Sequence, residues 1–224
     1  MRQLLSVCLA LVIIMVPAMC EAKQRAVHVD TKPLHSPPRS VLVIGDSLSV
    51  FLSKRLEEYF GQYPGLHFAS HSVVSSGLAR PDFFDWEQST RELVSQHAPD
   101  MVIVMLGTND NKAMTTASGQ SVAFGSTDWQ EEYSKRVLRI LEICYKSNSY
   151  VNLFWLGSPL MADAELNKQL SMVNNVIRKR CNNLFFCHYV DTGDVLSDRQ
   201  GRFTAFALTK DGESVRIRAD DGVH

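Results

Sequence analysis

From residue 40 onward the chain alternates short apolar runs with longer stretches of helical period. Val41-Leu42-Val43-Ile44 is the first such run and Met101 to Leu106 repeats it; Val151 to Leu156 and Leu184 to Val190 are similar but each interrupted once, by Asn152 and His188. Runs of this kind are expected of strands buried on both faces. Leu66 to Val74 reads as a further strand, after a turn at Gly61 to Gly65. Leu48, Phe51, Leu52, Arg55, Leu56, Tyr59 and Phe60 recur at helical spacing behind the first strand. A second helix is expected over Asp82 to His97, with Phe84, Leu93 and Val94 toward the core. A third runs from Trp129 to about Tyr145, capped by Asp128, with Tyr133, Val137, Ile140, Leu141 and Cys144 on one face. Asp163 to Arg180 is the fourth.

Residues 112–127 are rich in Ser, Thr, Gly and Ala and read as a long surface loop. Arg202 to Leu208 and Ser214 to Arg218, joined through Lys210-Asp211-Gly212, read as a β-hairpin. Strands and helices alternate about five times, which implies parallel strands joined by right-handed crossovers. The expected fold is therefore α/β: a three-layer α/β/α, flavodoxin-like sandwich around a central parallel sheet of about five strands.

Composition changes this picture little. The chain has 224 residues, of which 45% are hydrophobic and 21% charged, as in an ordinary globular protein with one sizeable core. A formal net charge of −1 and the lack of a dense basic run argue against a nucleic-acid partner.

The first 39 residues are of another kind. Arg2, the apolar run Leu4 to Val16 and a small-residue region ending near Ala22 fit the signal-peptide pattern. That apolar run is short for a membrane span. Cleavage after Ala22 is expected, against a lipid anchor on Cys20 or a retained signal anchor. The expectation is then a periplasmic or secreted protein, with no stable membrane span once residues 1–22 are removed. Residues 23–39, with Pro33, Pro37 and Pro38 and no periodicity, read as a flexible tether, and the globular domain occupies 40–224. Cys144, Cys181 and Cys187 remain in it; the last two are close enough in sequence to pair in an oxidising compartment. No Cys and His spacing resembles a metal site, and neither a metal nor a cofactor is expected.

The chemistry lies in the residues just past each strand. The first strand delivers Gly45-Asp46-Ser47, the second Ser76-Gly77, the third Gly107-Thr108-Asn109-Asp110, and the sequence finishes with Asp221-Gly222-Val223-His224. Parallel strands place their carboxyl ends on one rim, where ligands bind in open α/β sheets. These blocks, in this order and over nearly all of the chain from Val41, resemble the SGNH hydrolases, also called the GDSL esterase/lipase family. The stretch from Ser76 to Trp86 is similar to an exported bacterial branch of it.

The resemblance implies roles. Ser47 would be the nucleophile, His224 the general base and then acid, and Asp221 the group that holds the imidazole. The oxyanion would be received by the backbone amides of Ser47 and Gly77 and the side-chain amide of Asn109. Each has a plainer alternative. Ser47 could cap a helix, Gly77 could serve backbone geometry, and Asn109 could make an Asx turn with Asp110 and Asn111 as rivals. Asp220 competes with Asp221, and His188 with His224. Asp46 is expected to brace its loop. Arg80 and Asp110 are candidates for substrate binding, against an exposed arginine and a local turn residue; Trp86 and Trp129 are expected in the core.

Members of that family continue past this histidine into a helix that packs on the sheet. With His224 last in the sequence, two expectations stay open: a sequence that stops short of the domain's end, or an impaired base whose imidazole pKa is raised by a neighbouring carboxylate. The implied function is an exported serine esterase that removes acyl groups, most simply acetyl, from a carbohydrate or cell-envelope substrate. An acyltransferase or a lipid or aryl esterase would use the same site. A carbohydrate-binding or scaffolding module that has lost its base is the alternative of another class.

Overall fold

A computed structural model of the protein describes residues 38–208 and 211–224. The expected signal peptide, nearly all of the expected tether, and Lys210 of the hairpin turn lie outside the described residues. Arg39, assigned to the tether from composition, is held by the sheet. Its N–H donates to Asp100 Oδ2 at 2.9 Å, and its carbonyl accepts from His67 N–H at 2.7 Å.

Five parallel strands form the central sheet: β1 (Ser40–Gly45), β2 (His67–Ser72), β3 (Met101–Met105), β6 (Asn152–Leu156) and β7 (Cys187–Val190). Their order is β2-β1-β3-β6-β7, so the winding direction reverses between β1 and β3. That reversal opens a crevice at the carboxyl edge, next to Ser47. The helices are α1 (Ser47–Phe60), α2 (Trp86–His97), α3 (Thr127–Ser147), α4 (Ala164–Cys181) and the short α5 (Thr192–Val195). Two antiparallel ribbons complete the chain, β4 (Met114–Thr115) with β5 (Ser121–Val122) and β8 (Phe206–Leu208) with β9 (Ser214–Arg216).

Side chains alternate across a strand, so each sheet face buries its own set. Leu42, Ile44, Val102, Val104 and Trp155 pack with the buried stripes of α2, α3 and α4. Val41, Val43, Met101, Ile103 and Phe154 pack instead with Leu48, Leu52, Leu56 and Phe60 of α1. Each such buried aliphatic side chain contributes about 1.5–3 kcal/mol relative to exposure. The three layers anticipated from the alternation are thus present.

Several boundaries differ from the sequence reading, each for a local reason. The helix expected from Asp82 begins at Trp86, because Asp85 accepts from Gln88 N–H and caps it; Phe83 and Phe84 donate back to Arg80 O in a turn. Ser126, not Asp128, caps α3, its Oγ accepting from Trp129 N–H at 3.1 Å. The loop expected over 112–127 folds back as the β4–β5 ribbon, because Met114 and Val122 are buried beneath it. Leu184 to Phe186 form a turn before β7, and Asp191 caps the unanticipated α5. Phe51, assigned to the apolar face of α1, is 69% exposed. Cys144, Cys181 and Cys187 are all free and buried, so the pairing that the sequence left open for Cys181 and Cys187 is not formed here.

Candidate active site

The site begins with the cap of α1. Asp46 leaves β1 in extended conformation and is wholly buried. Its Oδ1 accepts from Leu48 N–H at 3.0 Å, and its Oδ2 accepts from Thr108 N–H at 3.2 Å. One carboxylate therefore starts the helix and ties the loop after β1 to the loop after β3, which is the bracing role expected of it. Burial pushes its pKa up to about 7, and the nearby Asp110 adds to this, against the two backbone amides. Ser47 then occupies the first turn of α1, half-buried, with its hydroxyl on the sheet's carboxyl rim.

His224 comes to it from the far end of the sequence. Its Nε2 lies 2.9 Å from Ser47 Oγ, and its Nδ1 lies 2.7 Å from Asp221 Oδ2. An ionised carboxylate only accepts, so the tautomer protonated at Nδ1 suits both contacts and leaves Nε2 to accept from the serine hydroxyl. Asp221 Oδ1 also accepts from the backbone amides of Val223 and His224, each at 2.9 Å. The His224 side chain, and then these amides, hold the Asp221 carboxyl well below its usual range. Asp220, the neighbouring rival, pairs with Arg216 at the surface. His188, the internal rival, packs on Phe154 with ring centroids 5.1 Å apart, and burial lowers its pKa.

The amides expected to receive an oxyanion lie on the same rim. Asn109 Nδ2 donates one hydrogen to Ser76 O at 2.9 Å, which aims the side chain and leaves its second N–H available. Ser76 is itself held, its Oγ donating to Val73 O and accepting from Trp86 Nε1–H. Among the described residues, the Ser47 and Gly77 amides have no backbone acceptor. The first amides of a helix lack intrahelical partners and favour negative charge, so Ser47 N–H suits the role.

Two candidates sit elsewhere. Asp110, expected to offer a polar group to substrate, is wholly buried; Ala79 N–H and Tyr133 OH donate to it, each at 2.7 Å. It supports the Gly77 strip from behind and has no surface with which to touch a ligand. Burial raises its pKa. Arg80 is exposed and grips Asp82, with Nε to Oδ1 at 2.8 Å and Nη2 to Oδ2 at 2.6 Å. Trp86 and Trp129 are core residues.

Arg218 was not singled out from sequence. It is buried and donates to Val223 O at 2.6 Å, immediately before His224. Its only signal is the second arginine in Val215-Arg216-Ile217-Arg218, which reads as the exposed face of a strand. Nor does the sequence point to a cleft of about 280 Å³ beside Gly77, lined in part by Trp86, Thr115, Arg136 and Ile140. Neither Ser47 nor His224 lines it, so hydrogen bonds and not cavity shape define the candidate site.

A family model described as "Protein of unknown function (DUF459)" matches residues 40–224, the whole of the fold just described. The chain belongs to that family. No curated protein matches this DUF459 chain. Among solved structures it is similar to a candidate platelet activating factor from Streptococcus pneumonia, at 15% identity and a TM-score of 0.53, over 100% of this chain and 85% of that one. A GDSL-like lipase from Bacteroides ovatus is 10% identical over 73% of this chain and 47% of its own, with a TM-score of 0.48. An acetyl xylan esterase from the rumen bacterium Butyrivibrio proteoclasticus is 14% identical over 71% and 56%, with a TM-score of 0.43. The first of these supports the parallel α/β fold; none at such identity speaks to activity.

Among the described residues no helix is long and apolar enough to cross a membrane.

Proposed function

We propose that this DUF459 protein is a serine ester hydrolase of the SGNH type. One observation carries the reading: the unbroken chain from Ser47 Oγ through His224 to Asp221, at 2.9 and 2.7 Å. A serine hydroxyl is a weak nucleophile until a base takes its proton. His224 Nε2 accepts that proton as Ser47 Oγ bonds to the ester carbonyl carbon, and Asp221 stabilises the imidazolium that results. The carbonyl oxygen becomes an oxyanion, received by Ser47 N–H, Gly77 N–H and the free Asn109 N–H. Collapse of this intermediate returns the His224 proton to the leaving alcohol. Water, activated by the same imidazole, then hydrolyses the acyl-serine; a second alcohol in its place would make the protein an acyltransferase.

The substrate we assign is an O-acetyl ester on an extracellular or envelope carbohydrate, handled by an exported enzyme. The motif resemblance and the signal-like residues 1–22 support this, and no side-chain contact bears on it. A second reading, an ester with a larger apolar acyl or aryl part, has one structural observation in its favour. Val50 and Phe51 share the face of α1 that carries Ser47 and are 42% and 69% exposed, whereas Lys54, Arg55 and Glu58 continue that exposed side as charges.

The test is hydrolysis of p-nitrophenyl acetate by the full chain and by Ser47→Ala. Activity in the parent, lost by roughly 10⁴-fold or more in the variant, supports the reading. Equal rates in the two proteins would sink it. No turnover by the parent with retained glycan binding would instead favour the carbohydrate-binding module.

A further inference from the structure

The segment that brings Asp221 and His224 to Ser47 has no regular structure of its own. Ile217 to His224 belongs to no strand or helix, yet His224 must be held to within a fraction of an ångström if it is to exchange a proton. Backbone bonds hold it, among them Ala219 N–H to His224 O and Ile217 N–H to Ala205 O, and so does one buried guanidinium. Arg218 is 5% exposed; its Nη1 donates to Leu160 O at 3.0 Å and its Nη2 to Val223 O at 2.6 Å. Met161 Sδ lies 3.4 Å from Nη2, and the Phe203 ring centroid 5.4 Å from the guanidinium carbon. One side chain thus joins the hairpin approach, the loop after β6 and the residue before the base.

The neighbouring backbone is shaped to the same contact. Gly222 has a φ of +70°, and a Cβ there would stand 2.5 Å from Ala162 Cβ. Its carbonyl accepts from Ala162 N–H at 3.0 Å. The loop after β6 therefore receives the segment at two adjoining places, one through Arg218 and one through Gly222.

Burying a cation is costly unless its donors are used. An apolar side chain would fill the same space without that cost but could not grip two carbonyls at once. A lysine carries the charge but lacks the planar fork. Among the described residues the charged group facing this guanidinium is Asp221, whose negative charge opposes the pKa-lowering effect of burial.

We propose that Arg218 is a positioning residue: through the Val223 carbonyl it sets the aim of the His224 imidazole at Ser47 Oγ. This rests on the esterase reading of Ser47, His224 and Asp221. The guanidinium touches no substrate. It removes conformational freedom from the segment ahead of His224, so its loss is felt in the proton transfer and not in binding.

A double-mutant cycle on the full chain, read with p-nitrophenyl acetate, tests it. Arg218→Lys is expected to lower kcat roughly 10- to 100-fold with KM within about 3-fold, while far-UV circular dichroism is kept. In a His224→Ala background the same change is expected to alter the residual rate by less than about 3-fold, because the group it aims is gone. Where Arg218→Lys does not fold, Arg218→Gln is read in the same cycle. Equal losses in both backgrounds would mean a general packing role and overturn the proposal, as would an unchanged kcat when His224 is present. If His224→Ala alone leaves the rate untouched, the esterase reading itself falls, and that is seen before Arg218 is altered.

Discussion

Gly77 lies against the carboxylate of Asp110 so closely that a Cβ at residue 77 would come within 2.2 Å of Oδ1 and 2.8 Å of Cγ. The wall behind it is rigid: Asp110 is fixed by Ala79 N–H and Tyr133 OH, and Arg136 fixes the same strip through the carbonyls of Leu78 and Ala79. Gly77→Ala should therefore lower stability by about 1–3 kcal/mol, as overpacking of a well-packed interior does. It should also displace the residue 77 amide and reduce kcat. Thermal unfolding and p-nitrophenyl acetate kinetics on one preparation check both; an unchanged kcat would remove this amide from the proposed oxyanion site.

Two adjacent carboxylates are assigned different work. Asp221 meets His224 Nδ1, whereas Asp220 pairs with Arg216. Asp221→Asn should cost roughly 10²- to 10⁴-fold in kcat by disturbing the imidazole tautomer. Asp220→Asn should leave kcat within about 2-fold, since exposed ion pairs contribute little. The reverse ranking would contradict the geometry.

Asn109 is held by its bond to Ser76 O. Replacing it with Ala removes one donor, and kcat should fall by about 10²- to 10³-fold with KM little changed. A rise in KM at constant kcat would mark Asn109 as a ground-state binding group instead.

Asp46 predicts a pH dependence of stability. Its carboxyl is near 3.8 in the unfolded chain and is pushed up to about 7 by burial in the fold. Between these values the folded state holds the extra proton, so this contribution is full below about pH 4 and is lost as pH rises through 7. The change is on the order of 4 kcal/mol. Urea midpoints at pH 5 and pH 8 should show a smaller alkaline loss in Asp46→Asn than in the parent. Identical losses would mean that Asp46 is ionised at both values.

The second reading proposed above sets an apolar acyl or aryl group against the exposed Val50 and Phe51. If they seat an apolar chain, the parent should hydrolyse p-nitrophenyl butyrate faster relative to acetate than Phe51→Ser does. A ratio unmoved by the substitution would favour the small acetyl group of the first reading.

The fold was legible because buried parallel strands leave the plainest of patterns. Val41 to Ile44 and Met101 to Met105 are apolar at every position, since both faces of the sheet are covered. Element ends were less legible. Asp85 and Ser126 cap α2 and α3 through one hydrogen bond each, and Asp128 or Asp82 would have satisfied a sequence pattern equally well. Phe51 was misassigned for a related reason: helical period marks a face but cannot tell a core position from an exposed one at its flank.

The sequence by itself determined the alternation of strands and helices, and so put the residues after β1, β2 and β3 on one edge, because parallel strands end together. It also narrowed the candidate chemistry to a few residues just beyond those ends. The three-residue offset from His224 already favoured Asp221 over Asp220; the tertiary structure withdrew Asp110 from the surface and brought forward Arg218. Local pattern reports which face a residue occupies. Which arginine is buried, and which carboxylate is withdrawn from solvent, depends on contacts made by segments far apart in sequence.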